Sequence, residues 1–238
     1  FRTRVSESGR VLDETAMIYD QAFALLALAT AFKADRSRRG LVGLAAQTRT
    51  ALETMRHEKG GFREEIAWPF QANCHMHLLE AAMAWGELGE PGWDELVDEI
   101  VALAMRAFID PDQGFLREFF TADWTPAEGP EGRIVEPGHQ FEWAWLLERW
   151  RRLRGRTDAR DAARRLFDHG LKGFDPRRNV AVNALWDDGS IKDAQARLWP
   201  QTEFIKAALI LGRPDHALAG LNGLRTYLET PARGVWFD

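Results

Sequence analysis

A histidine and a glutamate lie one helical turn apart in the segment EPGHQFEWAWLLERW, residues 136–150. Residues three positions apart share a helical face, so the carboxylate of Glu142 can accept the ring N–H of His139. A carboxylate in that place fixes the imidazole tautomer and raises its basicity, which suits a general acid–base catalyst near neutral pH. The alternative is a buried histidine that only satisfies a polar helix cap, and spacing alone leaves both interpretations open.

A second polar group lies in the segment NCHMHLLEAAMAW, residues 73–85. Asn73 and His77 are four residues apart and share a helical face. His75 is two residues from His77, and at 3.6 residues per turn the two imidazoles diverge by about 200°. Because no third ligand follows at a recognisable spacing, we predict no catalytic metal site.

Polar and aromatic residues also open the first and last apolar helical segments. Tyr19 opens the first, in IYDQAFALL, where a core position is the alternative to a binding role. The last, RLWPQTEFIKAAL, opens with Arg197, Trp199, Gln201 and Glu203. Its arginine and glutamate could bind sugar hydroxyls or simply pair with each other. With the histidines, these groups match a neutral polyhydroxylated substrate, and they support proton transfer best.

The four polar groups need elements that bring them to one place, and a repeat supplies such elements. Apolar helical segments begin near residues 14, 72, 138 and 199, at intervals of roughly sixty residues. An amphipathic helix follows each of them, which indicates buried and half-exposed layers. Strand-like linkers, one with a DDG hairpin signal, precede the polar groups. We predict an all-α fold, an (α/α)₆ barrel with about eight of its twelve helices, whose short β-hairpins gather at the active-site end.

The composition of the 238 residues excludes several classes of protein. The net charge is −5 and the pI about 5.8, so no nucleic-acid partner is expected. No segment approaches the roughly 18 consecutive apolar residues of a membrane span, and no signal peptide is visible. The single cysteine, Cys74, excludes an intrachain disulfide and fits a reducing compartment, so we expect a cytoplasmic protein.

The chain is rich in tryptophan, with ten tryptophans against two tyrosines. Indole rings serve both cores and the faces of sugars, and we expect most of the ten to be core residues. Trp143, Trp145 and Trp199 lie beside the polar groups. These three are the ones that we expect near a site.

Four motifs in order, YDQAFALLA, NCHMHLLEA, EPGHQFEWAWLL and RLWPQTE, resemble the N-acylglucosamine 2-epimerase superfamily. The resemblance covers essentially the whole chain. Within the superfamily, PGHQFEW is most similar to the aldose–ketose isomerases that act on mannose or sulfoquinovose. The resemblance implies the same (α/α)₆ barrel and a sugar isomerase that needs no cofactor.

The resemblance also implies roles for the residues of the motifs. His139 would move a proton between C1 and C2 of the open-chain sugar through a cis-enediol, as in the conversion of D-mannose to D-fructose. Glu142 would orient that histidine. Further residues would contact the substrate: Tyr19, Asn73, His77, Trp199, Arg197 and Gln201. The implied partner is a small sugar, with no nucleic acid and no membrane.

The chain also departs from the superfamily. Members are longer, they use a second histidine in a segment near the C-terminus, and their first helices supply an arginine to the pocket. We therefore expect residues 1–238 to form a single barrel domain that is incomplete at both ends, without the second histidine.

Three alternatives to the isomerase stay open at this point. A 2-epimerase of the N-acylglucosamine or cellobiose type shares deprotonation at C2 but yields a C2 epimer. A glycoside hydrolase on the same toroid needs two carboxylates across the scissile bond, about 5 to 9.5 Å apart. A non-catalytic toroid would bind a sugar through its tryptophan and histidine clusters.

Overall fold

The computed structural model describes residues 1–64 and 66–238, and this part of the chain is mainly helical. Its α-helices are α1 Ile18–Ala34, α2 Gly40–Leu52, α3 Ala72–Glu87, α4 Trp93–Leu103, α5 Pro137–Arg154, α6 Arg160–Gly170, α7 Leu198–Ile210 and α8 Pro214–Leu228. Its strands are β1 Arg4–Val5, β2 Val11–Asp13, β3 Ile134–Val135, β4 Phe174–Asp175, β5 Val180–Ala181, β6 Ala184–Trp186 and β7 Ile191–Asp193. Among the described helices, none combines the length and the apolarity needed to cross a bilayer.

The chain divides into two compact units. The first consists of Phe1–Ala107 and Phe119–Thr125 and carries α1 to α4. The second consists of Phe108–Glu118 and Pro126–Asp238 and carries α5 to α8. A single barrel domain over 1–238 stays a prediction.

Within each unit, odd-numbered inner helices alternate with even-numbered outer helices. In the first unit α1 packs against α3, and each also packs on the helix that follows it. In the second unit α5 and α7 pack in the same way, with α6 and α8 behind them. The amphipathic pattern of α6 explains its outer position. One face is buried and the opposite face is charged, and the buried residues are Ala163, Leu166, Phe167 and Gly170. The predicted class, an all-α fold of inner and outer helices, is confirmed.

Short antiparallel strands lie before the inner helices of the second unit. The sheet β3-β6-β7 pairs Ile134 with Trp186 and continues into the β6–β7 hairpin. That hairpin turns through the DDG sequence, where Gly189 has a φ of +84° that favours glycine. The DDG hairpin signal is therefore confirmed. The linker at 114–120 forms two isolated bridges, Leu116 to Ile109 and Phe119 to Gln71, instead of a longer strand.

The fourth residue of both inner helices in the second unit fastens the helix to a neighbouring backbone segment. In α5 the amide of Gln140 accepts from Leu116 N–H at 2.8 Å and donates to Leu116 C=O at 3.0 Å. In α7 the amide of Gln201 makes the same pair with Ala181, at 2.7 and 2.9 Å. Because both polar atoms of Gln201 are taken and its side chain is fully buried, these contacts argue against direct contact with a substrate.

The fourth residue has a similar place in the first unit. In α3 it is His75, whose Nε2 accepts the N–H of Phe62 at 2.9 Å. In α1 it is Gln21, whose Nε2 donates to the carbonyl of Phe1 at 3.0 Å. The repeat seen in the sequence is therefore also a repeat of hydrogen bonds.

Candidate active site

His139, the third residue of α5, is held by a glutamate from a distant part of the sequence. Its Nδ1 lies 2.7 Å from Oε2 of Glu118, a hydrogen-bond distance. Both side chains are nearly removed from solvent, with residue exposures of 8% for His139 and 3% for Glu118. Within the described part of the chain, Nε2 of His139 makes no hydrogen bond, which leaves that nitrogen for contact with a ligand.

Glu118 reaches His139 because the backbone before it is fastened to the same helix. Leu116, two residues earlier, is the residue that Gln140 of α5 holds at both polar backbone atoms. The other oxygen of Glu118, Oε1, accepts the backbone N–H of Glu136 at the start of α5, at 3.3 Å. Glu118 is not among the site residues predicted from the sequence. A usable signal was the Arg-Glu pair that recurs in the two linkers, at 63–64 and 117–118.

The resemblance implies that Glu142 orients His139. The hydrogen bond to Nδ1 of His139 comes from Glu118. Glu142 is itself buried and lies near enough to favour the charged form of His139. Its catalytic role stays a prediction.

The charges around His139 decide its protonation. Burial disfavours the imidazolium, but the carboxylates of Glu118, Glu136 and Glu142 outweigh it and raise the pKa of His139 to about 10. Burial also raises the pKa of Glu136, against the opposing effect of the positive charge on His139. At neutral pH the imidazole of His139 is therefore charged.

Trp199 and Arg197 complete the surroundings of His139 within the second unit. The rings of His139 and Trp199 have centroids 5.1 Å apart at an angle of 37°. The guanidinium of Arg197 lies 5.4 Å from the centre of the Trp199 ring and 3.8 Å from a carboxylate oxygen of Glu136. The structure thus brings two predicted site residues, Trp199 and Arg197, close to the predicted imidazole of His139.

The other two tryptophans expected near a site have different surroundings. Trp143 is fully buried and packs edge-on against Phe108. Trp145 donates its Nε1–H to Glu203 at 2.8 Å, and the ammonium of Lys206 lies 4.4 Å from the centre of its ring. Trp143 is therefore a core residue, and Trp145 belongs to a polar cluster on α5 and α7.

In the first unit, the predicted residues Tyr19 and His77 meet in an aromatic cluster with Phe23. His77 lies 5.0 Å from Tyr19 and 4.7 Å from Phe23, measured between ring centroids. Tyr19 and Phe23 are 37% and 43% exposed, which is unusual for aromatic residues of an inner helix. Asn73 lies one turn before His77 on the same face of α3, and its buried Oδ1 has no hydrogen-bond partner among the described residues.

His75 and His77 serve different surroundings, as their spacing predicts. His75 lies 5.4 Å from the Trp124 ring and is fully buried. Burial lowers the pKa of His75 to about 4, so the ring is neutral at physiological pH. His77 and Glu80 lie on α3 with potential ligand atoms within 4.8 Å of each other.

Five of the candidate residues lie at the second or sixth position of an inner helix, namely Tyr19, Asn73, His77, Glu142 and Trp199. The second and sixth residues of a helix are four apart and so share a face. The second positions of α1, α3, α5 and α7 hold Tyr19, Asn73, Gly138 and Trp199. The sixth positions hold Phe23, His77, Glu142 and Glu203. The same face of each inner helix therefore carries its polar or aromatic groups.

The family follows from comparison with known proteins. The family model described as N-acylglucosamine 2-epimerase matches residues 2–238. The chain belongs to that family. Mannose-6-phosphate isomerase of Rhizobium meliloti is 44% identical over 248 residues, which cover 97% of this chain and 64% of that protein.

Solved structures of the family share its fold. The crystal structure of a D-mannose isomerase matches with a TM-score of 0.82 at 24% identity, over 97% of this chain and 64% of that one. Cellobiose 2-epimerase from Spirochaeta thermophila matches with a TM-score of 0.83 at 26% identity, over 98% and 64%. The fold is therefore that of the (α/α)₆ barrels, and the chain spans 64% of the length of each of these three relatives.

Proposed function

We propose that the protein carrying this chain is an aldose–ketose isomerase that converts D-mannose, or its 6-phosphate, to the corresponding 2-ketose without a cofactor. The observation that carries the proposal is the environment of His139. Its imidazole is buried, Glu118 bonds Nδ1, and Nε2 makes no hydrogen bond within the described part of the chain. Support comes from the 44% identical relative, which is named a mannose-6-phosphate isomerase, and from the D-mannose isomerase with the same fold. The one cysteine is buried and unpaired, which fits a reducing compartment such as the cytoplasm.

The charged state of His139 fits the first step that a cyclic sugar requires. Opening a pyranose needs a proton on the ring oxygen and loss of the proton on O1. The imidazolium of His139 can donate its Nε2–H to the ring oxygen, while a nearby carboxylate accepts the proton from O1. His139 is then neutral and able to act as a base.

The second step moves hydrogen from C2 to C1. Nε2 of His139 takes the proton from C2, the electrons of that C–H bond form the C1=C2 bond, and the oxygen at C1 takes a proton. A carboxyl group whose pKa burial raises, such as that of Glu136, can lend this proton. Return of the proton from His139 to C1, with transfer of the proton on O2 to the carboxylate that lent its proton, gives the 2-ketose and completes the balance.

The remaining predicted residues would hold the sugar. We assign Trp199 to a sugar face, because it lies beside the His139 ring. Arg197 is next to Trp199 and has an exposed side chain that could bind hydroxyls or a phosphate group. In the first unit, Tyr19, Asn73 and His77 stay candidates for hydroxyl binding, as the resemblance implies.

Proton NMR of D-mannose and D-mannose 6-phosphate, each incubated with the full-length protein, tests the proposal. We expect D-fructose or its 6-phosphate with the wild type and at least a hundredfold slower turnover with His139→Ala, since a positioned acid–base group contributes roughly 10²–10⁴ in rate. His169→Ala is the matched control, because that histidine lies on the outer helix α6 and bonds the carbonyl of Gln113. Turnover undiminished in His139→Ala would refute the role of His139.

A 2-epimerase is the second candidate, favoured by the TM-score of 0.83 with a cellobiose 2-epimerase. Both reactions begin with loss of the C2 proton and differ in where a proton returns. Incubation with D-mannose in D₂O separates them, because isomerisation gives a ketose, whereas epimerisation gives D-glucose with deuterium at C2. Cellobiose belongs in the same assay as the alternative substrate.

A further inference from the structure

Glu118 and Asn183 occupy equivalent places in the two halves of the second unit. Glu118 lies two residues after Leu116, and its Oε1 accepts the backbone N–H of Glu136, the residue before α5, at 3.3 Å. Asn183 lies two residues after Ala181, and its Oδ1 accepts the backbone N–H of Arg197, the residue before α7, at 2.9 Å. The glutamines at the fourth positions of α5 and α7 hold the two preceding segments in the same way.

Accepting the backbone N–H before an inner helix does not require a charged side chain, but Glu118 has one. Asn183 binds the N–H of Arg197 with a neutral amide, so an acceptor oxygen without charge is enough for that contact. Burying a carboxylate at 3% exposure is expensive unless its charge is matched. The third residue of α7 is Pro200, which has no group for a charge to meet, whereas the third residue of α5 is His139.

We propose that Glu118 is the positioning residue of His139, which holds Nδ1–H and thereby assigns proton transfer to Nε2. The catalytic part of this inference rests on the proposed function, whereas the geometric part does not. No proton leaves Nδ1 in this role. Glu118 fixes the ring in its plane and keeps its charge compensated while Nε2 gives and takes a proton.

The other groups that face His139 are weaker candidates for this role. Glu136 lies 3.8 Å from Nδ1, beyond hydrogen-bond distance, and is shared with the guanidinium of Arg197. Glu142 acts on His139 less strongly than Glu118 and Glu136 do. Glu118, at 2.7 Å, is the carboxylate with the largest effect on the charge of the imidazole.

The test is Glu118→Gln in the full-length protein, read by ¹H–¹⁵N NMR of the histidine ring nitrogens across a pH series. The variant keeps the size and one acceptor oxygen but loses the charge. We expect the pKa of His139 to fall towards its ordinary value of about 6.5, and the neutral ring to lose its fixed tautomer. With sugar, we expect kcat to fall at least tenfold and KM to change less, because a positioning residue acts on the chemical step.

Asn183→Ala is the matched control. It removes the equivalent acceptor for the backbone N–H of Arg197 and should leave the His139 resonances unchanged. Glu118→Asp keeps the charge one methylene further away and should give an intermediate titration, which also serves if Glu118→Gln does not fold. Wild-type titration and kcat in Glu118→Gln would overturn the inference. If the wild type turns over no sugar, the proposed function fails, but the titration of His139 still shows whether Glu118 holds its ring. The two failures can therefore be told apart.

Discussion

The six-membered ring of Trp199 lies where a side chain on Gly138 would begin. A Cβ on Gly138 would be 2.4 Å from the nearest ring carbon, a distance that real Cβ atoms do not show. Trp199 therefore crosses the start of α5 only because the second residue of that helix has no side chain. The same indole lies 5.1 Å from the His139 ring, so the glycine sets the position of a proposed substrate-binding residue.

Gly138→Ala should displace Trp199 and disturb sugar binding. Over-packing a tight contact costs about 1–3 kcal/mol, so we expect a lower free energy of unfolding together with a raised KM. Chemical denaturation and steady-state kinetics measure the two effects. Gly43→Ala is the control, because that glycine lies in α2 with nothing within 4 Å of its Cβ position and should gain about 0.5–1 kcal/mol. An unchanged KM in Gly138→Ala would contradict the role of Trp199.

The helices could be predicted from the sequence because their signals are local. The apolar stretch of α5 and the stripe of α6 are patterns of 3.6 residues, and burial follows directly from them. The DDG turn is local in the same sense. The isolated bridge at Leu116 could not be predicted from the sequence. A strand-like composition does not reveal whether the segment has a partner strand long enough for regular pairing.

Spacing in the sequence could link only those candidate residues that lie within one helix. His139 and Glu142 are found by spacing, but the carboxylate that holds the imidazole is 21 residues away in a linker. That contact depends on how Gln140 fastens Leu116 to α5, which is a tertiary relationship. The amide of Gln201 bonds both polar backbone atoms of Ala181, a tertiary contact that its residue type does not reveal.

Gln201→Met should lower stability without a matching loss of substrate binding. The change keeps the length of the side chain but leaves the buried N–H and C=O of Ala181 without partners, at about 1–3 kcal/mol for each group. Urea unfolding gives the free energy, and KM measured on the folded protein gives the binding. Gln195→Met places the same change at an exposed position and should be nearly neutral. A raised KM with unchanged stability would show that Gln201 contacts the substrate.

His139 should make stability depend on pH above neutrality. Its pKa is about 10 in the folded protein against an ordinary value of about 6.5, so the folded state binds the proton more tightly. The resulting stabilisation is fully present below pH 6.5 and is lost as the pH rises through 10. We expect the difference in unfolding free energy between the wild type and His139→Ala to shrink between pH 6.5 and 10. A difference that stays constant over that range would mean that the folded pKa is not raised.

His75 should make the folded protein less stable as the pH falls below 6.5. The residues at the equivalent position of the other inner helices suggest a variant that removes this pH dependence. Burial lowers the pKa of His75 to about 4, and its neutral Nε2 accepts the N–H of Phe62. Between pH 6.5 and 4 the unfolded chain takes up a proton that the folded protein refuses, so stability falls as the pH falls. Glutamine holds the equivalent position in α1, α5 and α7, and His75→Gln supplies an acceptor for Phe62 that does not titrate. We expect thermal unfolding of His75→Gln to be close to the wild type at pH 8 and less sensitive to acid below pH 6.5. Equal loss of Tm with acid in both proteins would mean that His75 does not titrate as the structure indicates.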